Sequence, residues 1–126
     1  MAYHVSKTEF GRLVEQALEG LPAQFAEYLE EVSIEIRDRP SVKQLKSLGL
    51  RHDDLLLGLY HGRPRTQRSV EQDGFLPDVI YIFQEDVELV SDNERQLIEE
   101  VRTTVLHEIG HHFGMSEDDL DKLGYG

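Results

Sequence analysis

The spacing of apolar residues in the first third of the chain predicts two helices and then a strand. Apolar side chains recur at helical spacing, at Phe10, Leu13, Val14, Ala17 and Leu18. Ser6 and Glu9 form a capping box ahead of them, and Gly20 is expected to end this helix. A second helix is expected from residue 21, and the alternation over residues 32–36 predicts a strand with one buried face.

Short apolar runs in the middle of the chain predict two further strands. Residues 55–60 and 79–83 are mostly apolar and are bounded by polar residues or glycine, and the second run is expected to be the more buried strand. Residues 41–48 are expected to form a short helix. Residues 62–77 combine Gly, Pro and charged side chains without a period, so a loop is expected there.

A longer helical pattern occupies the C-terminal part of the chain. Residues 91–94 read Ser-Asp-Asn-Glu, a favourable helix start, and helical spacing continues to residue 113. The side expected to face the sheet consists of Ile98, Val101, Val105, Ile109 and Phe113. Gly114 is expected to end this helix, and Ser116 to cap a short final one. The chain is therefore predicted to be one α+β domain over residues 1–126, with a small mixed sheet packed against helices.

Composition narrows the classes of function. The 126 residues suit a single domain, and the absence of cysteine excludes disulfides, cysteine-based zinc fingers and thiol catalysis. A net charge of −12 disfavours binding to nucleic acid or anionic lipid. No apolar run approaches the roughly 20 residues that span a membrane, and no secretory leader is evident. We therefore expect a cytoplasmic protein that binds neither nucleic acid nor membrane.

The charges are unevenly distributed along the chain. Eight of the 13 Lys and Arg residues lie between residues 37 and 68, whereas acidic residues crowd into 85–100 and 117–121. Such a pattern is typical of solvated faces. Its functional interpretation is a basic strip beside an acidic cleft, which would bias the choice of substrate.

A single motif carries the chemistry. Residues 107–111 read His-Glu-Ile-Gly-His, the pattern H-E-x-x-H. On a helix, His107 and His111 are one turn apart and differ by about 40° in direction, so two imidazoles can meet one zinc ion. Glu108 lies toward the same side, where it can reach a zinc-bound water as general base without being a ligand. The alternative is a surface helix that carries these residues by coincidence.

A catalytic zinc ion needs a third protein ligand and an open position. If the helix ran straight on, residue 117 would lie about 15 Å along the axis from His107, out of reach. Gly114 can turn the chain back in a left-handed conformation, which would bring Glu117 to the metal. Glu117 is the preferred ligand, with Asp118, Asp121 or a more distant residue as alternatives. Acidic residues here are also typical of a helix start.

The sequence gives less evidence for the roles of the other histidines and tyrosines. His112 points about 100° away from His111, toward the apolar side, and is interpreted as a core residue or as support for a ligand. His61 is interpreted as a loop residue, with contact to the substrate as the alternative. Tyr60 and Tyr125 could each donate a hydrogen bond to an oxyanion, although tyrosines usually just pack.

The stretch TTVLHEIGHHFGMSEDDLDKLGY over residues 103–125 resembles the minimal zincin-like metallopeptidase family of short bacterial proteins. Segments 56–60 and 76–78 are also similar to that family. The resemblance implies a small α+β zincin domain, zinc at the H-E-x-x-H helix and a protease role.

The pattern H-E-x-x-H-x-x-G-x-x-E is similar to the metzincin motif, but Glu117 stands where His is usual, and Met1 and Met115 provide no methionine turn. The HEIGH segment also resembles peptidases that cleave phage-type repressors.

These observations together predict a zinc-dependent peptidase acting on a peptide or protein substrate. Glu108 is the predicted general base, and His107, His111 and Glu117 are the predicted zinc ligands of a C-terminal active-site helix. By analogy with zincins, residues 79–83 are the candidate strand for holding an extended substrate. One alternative is a zinc-binding protein-interaction module with little or no peptidase activity. Another is a metallohydrolase acting on a non-peptide bond.

Overall fold

The amphipathic N-terminal segment forms the helix that its capping pattern predicts. In the computed structural model, which describes residues 2–62 and 78–122, helix α1 spans Lys7–Glu19, and its N-cap Ser6 accepts a hydrogen bond from the Glu9 backbone N–H. The helix ends at Gly20, as expected. Its buried side consists of Phe10, Leu13, Val14 and Ala17. This helix therefore contributes one wall of the core.

The remaining elements alternate short helices with three strands. After a 3-10 turn at Ala23–Phe25 come helix α2 (Ala26–Glu30), strand β1 (Val32–Arg37) and helix α3 (Val42–Ser47). Strands β2 (Gly58–His61) and β3 (Asp78–Phe83) follow, and then helices α4 (Gln84–Leu89), α5 (Glu94–His112) and α6 (Glu117–Lys122). Most of the loop predicted over residues 62–77 lies outside the described residues. Within the described ranges, no helix combines the length and the apolar character needed to cross a membrane.

The three strands form one mixed sheet in the order β1-β3-β2. Strand β1 runs parallel to β3, and β2 runs antiparallel to it. β3 is central and almost entirely buried, as its continuous apolar run predicts. β1 is half-buried along most of its length rather than buried on one face as expected, because it forms an edge of the sheet. The predicted α+β class with a small mixed sheet is confirmed.

The central position of β3 contradicts its predicted role as the strand that holds substrate. Residues 79–82 pair with β1 on one side and with β2 on the other. Backbone groups that already pair on both sides cannot pair with a third strand. The prediction for residues 79–83 is therefore wrong, and in the described sheet β2 supplies the outer edge next to the motif helix.

Helix α5 is the element around which the core is built. It packs against α1 on one side and against β2 and β3 on another. Its buried apolar residues are Leu97, Ile98, Val101, Val105, Leu106 and Ile109, which include four of the five predicted. The prediction for Phe113 is wrong, because its side chain is 38% exposed and stacks on Tyr28. The helix ends at His112, so Phe113 lies in the turn that leaves the helix.

Helix α4, directly after β3, has no counterpart in the sequence-based prediction. Its buried residues include the polar Gln84, Asp86 and Glu88, so the apolar spacing that marks a helix is weak there. The Glu88 carboxylate accepts hydrogen bonds from the Val5 backbone N–H at 2.9 Å and from the Gln84 amide at 3.1 Å. These bonds satisfy a buried polar group that would otherwise be costly, and they tie the N-terminal segment to α4.

A buried ion pair explains why β2 begins later than predicted. Asp86 is fully buried, and its carboxylate accepts from Arg39 Nε at 3.0 Å and from the Leu56 backbone N–H at 2.9 Å. Arg39 also donates to the Asp54 carbonyl oxygen at 3.1 Å. The hydrogen bond to Asp86 raises the pKa of Arg39, which therefore stays charged. The segment before β2 is thereby bound to α4, and the strand begins only at Gly58.

Gly58 allows α5 to pack directly on β2. A Cβ atom at Gly58 would lie 2.5 Å from Thr104 Cγ2 on α5 and 2.9 Å from the Tyr81 carbonyl oxygen on β3. Real Cβ atoms essentially never approach other atoms so closely, so position 58 must lack a side chain. Without one, the turn of α5 that precedes the motif lies against the strand.

Replacing Gly58 with alanine is expected to push α5 away from β2. Overpacking of this kind lowers the free energy of unfolding by about 1–3 kcal/mol. Gly11→Ala is the matched control, because a Cβ atom at Gly11 in α1 meets nothing within 4 Å, and alanine is the better helix former. Urea unfolding followed by circular dichroism measures both variants. A Gly58→Ala variant as stable as Gly11→Ala would contradict the close packing.

Candidate metal centre

His107 and His111 lie one turn apart near the C-terminal end of α5. Their ring centroids are 5.7 Å apart and their ring planes are at 83°. A ring nitrogen binds zinc at about 2.0–2.1 Å, so a tetrahedral angle at the ion puts the centroids of two imidazole rings about 5.2 Å apart. The observed separation is about 0.5 Å wider than that. His107 is half-buried and His111 is exposed, so the pair lies where the protein interior meets solvent.

Glu108 is held at the outer edge of β2. Its Oε1 accepts a hydrogen bond from the Tyr60 backbone N–H at 2.9 Å. The Leu57 carbonyl oxygen accepts from the Phe83 N–H. Because pairing alternates along an antiparallel ladder, the Tyr60 N–H points away from β3. The Glu108 carboxylate therefore occupies the space between α5 and the strand edge.

Tyr60, Asp78 and His112 form a cluster that borders the same strand. The Tyr60 hydroxyl donates to Asp78 Oδ2 at 2.8 Å, and Asp78 is buried. The His112 ring stacks on the Tyr60 ring with centroids 3.9 Å apart, and its Nε2 lies 3.8 Å from Asp78 Oδ2. The interpretation of His112 as a core residue is wrong, because its side chain is 40% exposed. Its other interpretation, support for a ligand, stays a prediction.

The remaining candidates from the sequence lie apart from this cluster or are not described. The His61 ring lies 6.3 Å from that of Tyr81, on the face of β2 opposite to the Tyr60 side chain. His61 is thus directed away from α5. Tyr125 lies outside the described residues.

The chain turns back directly after the motif. Gly114 has a φ of +80°, in the left-handed region that favours glycine. The Met115 backbone N–H donates to the Gly110 carbonyl oxygen at 2.7 Å. Leu120 of α6 is fully buried against Gly110, where a Cβ atom would lie 3.0 Å from Leu120 Cδ2. The final helix therefore packs back on the end of α5, as the expected reversal at Gly114 requires.

Helix α6 begins at Glu117, whose side chain lies outside the described part of the chain. Ser116 caps this helix: its backbone N–H donates to the Asp119 carboxylate at 3.0 Å, and its hydroxyl accepts from the Asp119 N–H at 3.1 Å. Hydrogen bonding to Ser116, first of all from its backbone N–H, lowers the pKa of Asp119. The alternative ligands Asp118 and Asp121 are exposed. Among the side chains that are described, no three His, Asp or Glu residues cluster as metal ligands, so the third ligand stays a prediction.

Two features that shape this region are missing from the sequence-based interpretation. Gly58 gives the close approach of α5, and Asp78 holds Tyr60. The only sequence signal for Asp78 was the resemblance of segment 76–78 to the family. Neither residue has a local pattern that reveals its partner, because each partner lies on a different element.

A helix with the H-E-x-x-H motif, packed against the edge strand of a small mixed sheet, is an arrangement typical of zincin-type domains. The model of the zincin-like metallopeptidase family matches residues 29–126, and the chain belongs to this family. The solved structure of a conserved hypothetical protein from Thermo thermophilus is similar, with a TM-score of 0.55 and 25% sequence identity over 94% of this chain and 97% of that one. Comparison with curated proteins gives no match. The resemblance seen in the sequence is thus confirmed at the level of the family.

Removing the Tyr60 hydroxyl is expected to destabilise the cluster at the strand edge. In Tyr60→Phe the buried Asp78 carboxylate loses a hydrogen bond, which lowers the free energy of unfolding by about 1–3 kcal/mol. Tyr28→Phe is the matched control, since the Tyr28 ring also stacks on a neighbour and its hydroxyl donates to no described residue. Thermal or urea unfolding compares the two variants. An equal and small effect in both would show that the Tyr60–Asp78 bond contributes nothing to stability.

Proposed function

We propose that this chain is a zinc-dependent peptidase that binds its metal through His107, His111 and Glu117 and uses Glu108 as general base. The observation that carries the proposal is the imidazole pair, 5.7 Å apart, on the same helix as a carboxylate held at a strand edge. Membership of the zincin-like metallopeptidase family supports a peptidase-type function.

The chemistry of the donor set suits zinc. Two imidazoles and one carboxylate are the protein ligands of many catalytic zinc sites, which keep a fourth position open. The chain has no cysteine and so cannot form a thiolate site. The reversal at Gly114 and the packing of Leu120 on Gly110 bring α6 back to the end of α5. That packing supports a third ligand from α6, and Glu117 is its first residue.

Glu108 is suited to move a proton. Zinc supplies such a site with a Lewis acid, which polarises a carbonyl oxygen and acidifies water. The Tyr60 N–H restrains Oε1 of Glu108, and no described residue hydrogen-bonds to its second oxygen. In the proposed reaction the Glu108 carboxylate takes a proton from the attacking water and delivers it to the leaving amine.

The outer edge of β2 is the proposed binding strand for substrate, in place of residues 79–83. Gly58 directs its backbone N–H and carbonyl groups away from β3, whereas the Tyr60 N–H already donates to Glu108, so Gly58 is the proposed point of main-chain pairing. Main-chain pairing with a sheet edge is a common way to hold an extended peptide. A peptide bound there would lie beside α5, because Glu108 on that helix already contacts the same edge.

The second candidate function is a zinc-binding interaction module without useful peptidase activity. The observation that favours it is the hydrogen bond between Glu108 and Tyr60, which gives the carboxylate a role in joining α5 to β2 that needs no catalysis. The two functions can be distinguished by substituting Glu108: a peptidase would lose hydrolysis, whereas an interaction module would lose stability.

Glu108→Gln is expected to abolish peptide hydrolysis while the metal affinity stays unchanged. Loss of a general base typically reduces rates by about 10²–10⁴-fold, and the glutamine amide oxygen can still accept the Tyr60 hydrogen bond. Glu99→Gln, an exposed position on the same helix, is the control and should retain activity. A fluorescence-quenched peptide library with added zinc measures the rates.

Two outcomes of this experiment would contradict the peptidase proposal. A zinc-loaded Glu108→Gln variant that cleaves at the wild-type rate would remove Glu108 from the reaction. A wild-type protein that holds zinc and cleaves no library member, while Glu108→Ala loses stability, would favour the interaction module.

A further inference from the structure

We propose that a basic groove on the outer face of the sheet selects acidic side chains of a bound peptide, with Lys43 and Arg37 as specificity-determining residues. The inference rests on the proposed peptidase function, because it takes the outer edge of β2 as the binding strand. It goes further by assigning the class of peptide: an extended segment with Asp or Glu at alternate positions.

The groove lies on the face of the sheet opposite to α5. It encloses about 550 Å³ between the sheet and α3. Its lining includes Arg37, Lys43, Ser47, Leu59, His61 and Tyr81. Tyr81 is the one residue of β3 with an intermediate exposure, because the groove leaves part of its side chain uncovered.

The lining of the groove contains basic side chains and no acidic ones, although the protein carries a net charge of −12. Three of its lining residues are Arg or Lys, and none is Asp or Glu. Arg39 is neutralised by the buried Asp86. Arg37 lies over the Tyr81 ring at 5.4 Å from its centroid and pairs with Glu35 at 3.6 Å. Lys43 is exposed and has no ion pair with a described residue, so it is the cation most available to an anionic ligand.

Strand β2 connects the groove to the candidate metal centre. Side chains alternate between the two faces of a strand: Leu59 and His61 line the groove, whereas Tyr60 between them faces α5 and contacts His112. An extended peptide paired with the outer edge of β2 would follow the same alternation. Every second side chain would then lie on the face of α5, and the ones between would lie on the face of the groove.

A peptide bound to the edge of β2 would lie close enough to the groove for its acidic side chains to be attracted by the basic ones. Strands in a sheet lie about 4.8 Å apart, so a peptide on β2 would lie roughly 10 Å from the backbone of Tyr81. The Arg37 guanidinium carbon lies 5.4 Å from the centroid of the Tyr81 ring, so the charge of Arg37 is carried above β3, and a glutamate side chain on the peptide shortens the distance to it. The remaining separation is comparable to the Debye length of about 8 Å at physiological salt, so part of the attraction persists.

The experiment measures binding in a chain that cannot turn over. The full chain with Glu108→Gln is titrated with a fluorescein-labelled octapeptide of alternating Thr and Glu, and with the same peptide carrying Gln in place of Glu. Fluorescence anisotropy gives both dissociation constants. We expect the Glu peptide to bind roughly threefold to tenfold more tightly, the range of one or two exposed ion pairs.

Charge reversal identifies the groove as the cause. Lys43→Glu is expected to remove the preference for the Glu peptide, and Arg37→Gln to reduce it. Lys46→Glu is the matched control, because Lys46 lies on the same helix α3 but outside the groove lining. It should leave the preference intact. An acidic residue in the first turn of α3 also suits the helix N-terminus, so Lys43→Glu should fold.

Three results would overturn the proposal: no preference for the Glu peptide, the same loss in Lys46→Glu as in Lys43→Glu, or tighter binding of a uridine oligonucleotide that Lys43→Glu abolishes. Because binding is measured without hydrolysis, the outcome is separable from the peptidase proposal. If the preference for the Glu peptide depends on Lys43 but the protein cleaves no peptide, the proposed role of the groove would stand and only the peptidase proposal would be refuted.

Discussion

The contact between α5 and β2 is the constraint on which the candidate site depends. It exists because Gly58 presents no side chain to Thr104, and it brings the Glu108 carboxylate to the Tyr60 backbone N–H. The two faces of the same strand then have different surroundings, since Tyr60 borders the motif helix while Leu59 lines the basic groove. The position of Glu108 beside the edge proposed for substrate follows from that close approach.

The elements that could be predicted from the sequence are those determined by residues close together in the chain. Helix α1 has a side-chain cap and an uninterrupted apolar side, and β3 is a continuous apolar run, so both were predicted correctly. The pair of His107 and His111 follows from a spacing of one helical turn. The reversal at Gly114 was predictable because a positive φ is a property of glycine itself.

The rest of the fold depends on partners that are distant in the chain. Helix α4 was missed because its buried Asp86 is stabilised by Arg39, so no apolar period marks it. The same pair delays the start of β2. The role predicted for residues 79–83 is wrong because no single segment of the sequence determines the order of the strands. An apolar run predicts that a strand is buried, and β3 is buried because it has a neighbouring strand on each side. Asp78 acquires its role only through contact with Tyr60.

Zinc stoichiometry tests the central claim most directly. Purified wild type, His111→Ala, Glu117→Gln and Asp118→Asn would each be dialysed against trace zinc and analysed for bound metal. The account predicts about one zinc ion per chain in wild type and in Asp118→Asn, and loss of zinc from His111→Ala and Glu117→Gln, because a catalytic site of this type has three protein ligands. Absence of zinc from wild type, or full retention in His111→Ala, would contradict it.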